Sequence, residues 1–258
     1  MKKIILLLSV MTLAFTSCSK NEDEPAIPTV DPNGILLKRS VETDSNGANI
    51  GAVFTLNYIY NGNKLVRIND SDGDYEIITY TGDLITKWEY FISPAVLDLT
   101  VNFTYNVNND LIKAISINHG EATTYPANYV GKTNFTHNSN GSISFQEYNG
   151  NLTAQTTAVS NGTITSGSIV TNEINPASTV TETCSYDTKN HPLKNVLGYN
   201  KIIFNDFFNN SSNNFISITN YQGDLEEASY TYNTNNFPIT EIYKMNSVTQ
   251  STTQYFYE

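Results

Sequence analysis

The chain has 258 residues, 25 acidic against 14 basic side chains, a net charge of −11 and two cysteines. No Lys/Arg cluster is present to release counterions from a phosphate backbone, which argues against nucleic acid as a partner. Two cysteines build no disulfide framework, and the acidic excess serves solubility or attracts cations and basic surfaces.

Taken in chain order, the first 17 residues read as a lipoprotein signal peptide. Basic Lys2 and Lys3 precede an apolar run from Ile4 to Phe15, and the small polar pair Thr16 and Ser17 leads into Cys18. The run is far shorter than the roughly 20 residues a membrane-spanning helix needs. Cys18 is therefore the predicted lipidation site, and its acyl chains anchor the protein at about 0.8 kcal/mol per buried CH₂. Removal of the signal peptide takes two lysines with it and leaves a net charge of about −13. Residues 18–34 contain Glu22, Asp23 and Glu24 and the prolines 25, 28 and 32, with too little apolar surface to pack, and are predicted to be a disordered acidic tether.

Residues 35–258 are predicted to form a single all-β domain, an antiparallel meander of repeated hairpins making one wide curved sheet or barrel. Apolar and polar residues alternate with period two, as in Phe54, Leu56, Tyr58 and Tyr60, or Val101, Phe103 and Tyr105. Turn formers such as Asn61-Gly62, Gly82-Asp83, Asn140-Gly141 and Gly223-Asp224 separate these runs and suit type I′ hairpins. Superposed, the pieces give a degenerate repeat: aromatic-x-Tyr, Asn or Asp, a short turn, an apolar residue and another strand. Tyr58-Ile59-Tyr60-Asn61, Phe103-Thr104-Tyr105-Asn106 and Tyr230-Thr231-Tyr232-Asn233 are clear copies, and Phe135-Thr136-His137-Asn138 is one with His for Tyr. No hairpin buries its own apolar face, so neighbours must supply a common core. The spacing predicts about a dozen strands. Thr153 to Ser178 reads as exposed hairpins or a long loop. Pro192 to Asn214 reads as a short helix or a loop plugging one end.

The lipobox-like segment, the acidic tether, the Tyr-x-Tyr-Asn hairpins and the run Tyr186-Asp187-Thr188-Lys189-Asn190-His191-Pro192-Leu193 together resemble a Bacteroidetes lipoprotein family of unknown function with a porin-like fold. The hairpins also resemble the YD repeats of large bacterial surface proteins, and the tether resembles an acidic export signal for surface lipoproteins. These resemblances imply a broad antiparallel sheet or barrel at the outer membrane, lipid-anchored and exposed at the surface or facing the periplasm. They carry no catalytic residues to transfer.

Several clusters bear on chemistry. Asp70, Asp72, Asp74 and Glu76 put oxygen ligands at alternate positions, as Ca²⁺ prefers, but Gly73 and the missing distal Glu depart from an EF-hand, and solvated acids in an Asp-Gly turn are the simpler reading. His119, His137 and His191 have no second ligand at i+2 or i+4 and are read as structural. Cys184, left alone after lipidation, is read as a small buried hydrophobe. No nucleophile elbow, phosphate loop or zinc-protease motif occurs, so no catalytic residue and no cofactor is assigned. A spanning barrel is opposed by the absence of a sustained apolar outer band. The expectation is a non-catalytic binding or structural module that meets the membrane through its anchor and takes a glycan, a peptide or another envelope protein as partner. The alternatives are a glycan- or peptide-active hydrolase and a carrier of small apolar ligands. A groove or lumen lined by Tyr, Trp88 and polar residues would favour binding, and a filled sheet would favour a structural role.

Overall fold

In a computed structural model, residues 34–92, 96–120, 129–202, 213–220 and 222–258 are described. The signal peptide, Cys18 and nearly all of the tether lie outside them. The described chain forms sixteen strands: β1 (Leu37–Asp44), β2 (Val53–Asn61), β3 (Lys64–Asp70), β4 (Tyr75–Thr81), β5 (Leu84–Ile92), β6 (Val96–Tyr105), β7 (Leu111–Asn118) and β8 (Val130–His137), followed by β9 (Ile143–Gly150), β10 (Gln155–Ile164), β11 (Ser168–Ile174), β12 (Ala177–Tyr186), β13 (Phe215–Thr219), β14 (Leu225–Tyr232), β15 (Pro238–Met245) and β16 (Val248–Tyr257). Each pairs antiparallel with its neighbours in sequence, and β1 pairs with β16, which closes the meander into a barrel. Closure leaves no sheet edge unpaired. The prediction of about a dozen strands is corrected to sixteen, and of the two readings of Thr153 to Ser178 the structure shows hairpins, with all of β10 and β11 and the start of β12 in it.

Two of the predicted type I′ hairpins are also corrected. At Gly62-Asn63 and Gly82-Asp83 positive φ falls on the glycine alone, the signature of a type II′ turn. Asn246-Ser247, between β15 and β16, has positive φ at both positions, as type I′ requires. Longer turns follow another rule. Asn106 Oδ1 accepts the backbone N–H of Asn108 and of Asp110 at 2.8 and 3.0 Å, and Asn233 does the same for Asn235 and Phe237 at 2.9 and 3.0 Å. That capping side chain accounts for the Asn after Tyr105 and Tyr232.

The Tyr has its own role. Tyr60 Oη donates to the Leu37 carbonyl at 2.8 Å and Tyr105 Oη to that of Ile85 at 2.7 Å, each acceptor at or next to the start of the preceding, neighbouring strand. His137 Nε2 lies 2.9 Å from the Leu111 carbonyl, so the imidazole makes the bond that Tyr makes elsewhere.

Register and burial sort the side chains onto two faces. The lumen face carries Leu65, Ile85, Leu111 and Ile169, each 2 % exposed or less and each at or next to the start of a strand, just past a turn. The apolar residue after each turn in the repeat therefore forms a ring at one end of the barrel. Gly162, in β10, leaves the space that Phe145 of β9 fills: a Cβ there would stand 2.5 Å from the ring and 2.0 Å from the Val170 carbonyl oxygen. Outward positions are largely polar, including Arg39, Asn57, Lys87, Asn102, Lys113, Asn134 and Thr181. Ile59, Ile242 and Phe256 are scattered among them. Among the described residues the outer face has no continuous apolar band of the kind a lipid-embedded barrel presents.

Candidate functional site

The lumen is divided along its length. Its apolar end is crossed by the connection from β12 to β13, whose described part runs over residues 187–202 and 213–214. In place of the helix that was one reading of Pro192 to Asn214, residues 187–202 hold a loop with a single 3-10 turn at Tyr199–Lys201; residues 203–212 lie outside those described. Val196 and Ile202 pack into the ring of Leu65, Ile85 and Leu111. The Leu197 N–H donates to the Asn63 carbonyl at 2.9 Å, Asn195 Nδ2 to that of Ile35 at 3.0 Å, and the Asn190 N–H to that of Asn236 at 2.9 Å. The segment thus reaches from the β14–β15 turn to the β2–β3 turn. Gly198 has φ +74° and sits where a Cβ would come 2.6 Å from the Asp83 carbonyl oxygen.

Asp187 secures the start of this plug. Its carboxylate accepts from Tyr232 Oη, the Lys189 N–H at 2.9 Å, and the N–H and Nδ2 of Asn214 at 3.1 and 3.0 Å. Burial would raise its pKa, but these hydrogen bonds outweigh it and hold the carboxyl below its ordinary value. The His191 ring stacks on Tyr199 at 5.8 Å and its Nδ1 accepts the Leu193 N–H. Burial drives this imidazole down to about 4 against the pull of Asp187.

Away from the plug the lumen wall changes character. Leu56, Tyr58, Glu76, Trp88, Tyr90, Tyr230, Glu241 and Tyr255 are half-buried, so this part of the wall is not packed solid. Trp88 Nε1 donates to Glu76 Oε2 at 2.5 Å and Tyr90 Oη to Asp74 Oδ2 at 2.7 Å. Further around the wall Tyr255 Oη donates to Glu241, Tyr243 Oη to Glu226 at 2.9 Å, and Tyr58 and Ser40 share a hydroxyl contact at 3.2 Å. Burial pushes both Glu76 and Glu241 above the usual carboxylate range; the Trp88 and Tyr255 hydrogen bonds only partly offset it. Burial likewise lifts the Tyr58 phenol to about 12.

Charge is sorted by face. In register, Glu42, Asp44 and Glu241 share the lumen face with Asp70 and Glu76, and Glu147, Glu173 and Glu226 continue it around the barrel. The strand cations point the other way. Arg39 lies beside Asn57, Arg67 beside Ile77, Lys87 beside Asn102, Lys113 beside Asn134, Lys132 beside Tyr148 and Lys244 beside Glu227, all on the outside. Among the paired residues of the described strands no Lys or Arg shares the lumen face with these carboxylates, so, edged by aromatic rings, they attract positive charge and donate nothing to an anion. Ser160 donates to Glu147 but is 1 % exposed, so this pair presents no accessible nucleophile.

The residues singled out from sequence divide accordingly. Trp88, Asp74 and Glu76 meet in the lumen wall, whereas Asp70 Oδ1 accepts the Asp72 N–H at 3.0 Å within the β3–β4 turn. Among the described residues no group of three or more His, Cys, Asp or Glu is arranged to hold a metal ion. His119 contacts Thr100 Oγ1 at 3.0 Å, and Cys184 is buried and unpaired. Sequence reading missed Glu42, Glu226 and Glu241. Their alternation with Thr, Tyr and Ala was visible, but which parity faces inward is set by closure.

No protein-family model matches the chain, and no curated protein matches it. Among solved structures it is similar to a porin-like protein from Bacteroides uniformis, with 10 % sequence identity and a TM-score of 0.51 over 86 % of this chain and 96 % of that one. The likeness is one of fold.

Proposed function

We propose that this protein is a lipid-anchored cell-envelope barrel that binds a cationic ligand in its lumen without catalysis. The observation that carries the reading is the uneven distribution of charge across one sheet, with most strand carboxylates inside and the strand Lys and Arg of the register outside, where Glu89 and Glu227 accompany them. A protonated amine or guanidinium gains charge-assisted hydrogen bonds from Glu76 and Glu241 and ring contacts from Trp88 and Tyr255. Basic peptides and polyamines have this chemistry. The apolar-carrier alternative is disfavoured because Val196 and Ile202 already occupy the apolar end. Attachment through Cys18 places the barrel at the outer membrane, and the porin-like fold of the Bacteroides protein is consistent with that location.

Trp88 is the only tryptophan in the chain and hydrogen-bonds to Glu76, so it reports on the site directly. Titration with spermine or a tetralysine peptide should change its fluorescence saturably. Glu76→Gln with Glu241→Gln should weaken binding at least tenfold, while Glu227→Gln on the outer face should leave it unchanged. Absence of both a fluorescence response and binding heat would overturn the reading. Independently, Cys18→Ser should release the protein from membranes.

A further inference from the structure

The plug gives the lumen a floor. Tyr199 stacks on His191 and carries its phenol deep into the barrel, within electrostatic reach of Tyr58 and Glu76. Its Oη makes no hydrogen bond among the described residues, so a buried polar atom is left facing the lumen, at a cost that a bound donor would remove. Toward the other end the carboxylates are arranged in steps. On three strands an outer Asp is followed, two residues deeper, by a Glu: Asp44 and Glu42 on β1, Asp74 and Glu76 at the start of β4, Asp224 and Glu226 at the start of β14. Glu42 pairs in register with Thr253, which also pairs with Glu241, and Tyr90, opposite Glu76, donates to Asp74. All three steps lie in the sector that runs from β14 through β16 and β1 to β4. In the remaining sector Glu147, Glu173 and Glu182 have no carboxylate two residues away. The described turns at the outer end hold no Lys or Arg. A two-residue step along a strand is about 7 Å.

We propose that the lumen takes an extended basic peptide end-on, with Lys or Arg at alternate positions facing the stepped carboxylates and the leading cation at Tyr199, beside Glu76 and Trp88. The inference rests on the cation-binding reading of the lumen and narrows it to one ligand class. A ligand that meets both members of a step carries cations at the same interval. Alternate side chains of an extended peptide repeat at about 7 Å and project to one side, because the ligand and the wall share the geometry of a strand. A run of adjacent basic residues turns half of its charge away from this sector, and a monoamine meets one carboxylate of a step only. Since the plug closes the apolar end, the chain enters past Asp44, Asp74 and Asp224.

The test uses the Cys18→Ser chain and four probes of equal positive charge: a capped linear peptide alternating four Lys with four Thr, a capped block peptide of the same composition, the alternating peptide cyclised head to tail, and spermine. By Trp88 fluorescence and calorimetry, the linear alternating peptide should bind on the order of tenfold more tightly than the block or the cyclic form. Asp44→Asn, Asp74→Asn and Asp224→Asn together should bring it down to the level of the block peptide. Tyr199→Phe, which keeps the ring on His191, should weaken it about tenfold. Circular dichroism checks the fold of each variant, and the comparison of probes on the unsubstituted lumen needs no variant at all. Equal affinity for alternating and block peptides, equal affinity for linear and cyclic ones, or full binding to Tyr199→Phe overturns the inference. Spermine binding that depends on Glu76 and Glu241 but comes without those preferences sinks end-on insertion alone, whereas silence from all four probes sinks the cation-binding reading with it.

Discussion

At the scale of single residues, the repeat in the sequence is a repeat of hydrogen bonds. Tyr60 and Tyr105 each donate to a carbonyl near the start of the neighbouring strand, and the Asn after Tyr105 and Tyr232 caps its turn. Tyr105→Phe removes one donor from the Ile85 carbonyl and leaves that oxygen half-buried without its partner, which costs about 1 kcal/mol. In a domain of this size that is a fall in Tm of roughly 2–4 °C by scanning calorimetry. His137→Tyr should be neutral or stabilising, since the position already makes the bond of the repeat, whereas His137→Phe should behave like Tyr105→Phe. An unchanged melting curve for both Phe variants would show that these bonds carry no net stability. The departure of His137 from the pattern was visible in sequence, but the shared acceptor geometry was not, because the acceptor lies about 26 residues earlier in the chain.

At the scale of elements, the plug is the one segment that leaves the meander, and its anchoring is polar at the β14–β15 side and apolar at the ring. His191 couples it to pH. Its imidazole titrates near 6.5 when unfolded and near 4 when folded, so the folded state disfavours the proton. The contribution is fully present above pH 6.5 and is lost as pH falls toward 4, up to about 3 kcal/mol across that window. His191→Gln should flatten the fall in stability between pH 6.5 and 4 relative to the parent, as measured by urea unfolding at each pH. Asp187, held below its ordinary value, loses its stabilising charge only at still lower pH and remains in both proteins. Parallel profiles for parent and variant would exclude His191 as the cause.

At the scale of the whole molecule, closure decides which of two alternating faces meets water. The outward face is rich in Thr, Asn, Lys and Arg, so the protein lacking its acyl group should remain monodisperse without detergent, measured by light scattering on the Cys18→Ser chain. A requirement for detergent would revive a lipid-embedded barrel. The sequence alone determined the β class, the hairpin succession, the polar punctuation and the placement of an apolar residue after each turn, because these are local properties of period and turn chemistry. It also marked Pro192 to Asn214 as a departure from the repeat. Tertiary structure alone decided that there are sixteen strands, that β1 meets β16, and that Glu42, Glu226 and Glu241 join Glu76 and Trp88 around one lumen. Period two says only that residues alternate, and a sheet acquires an inside when strands more than 200 residues apart in the chain pair to close it.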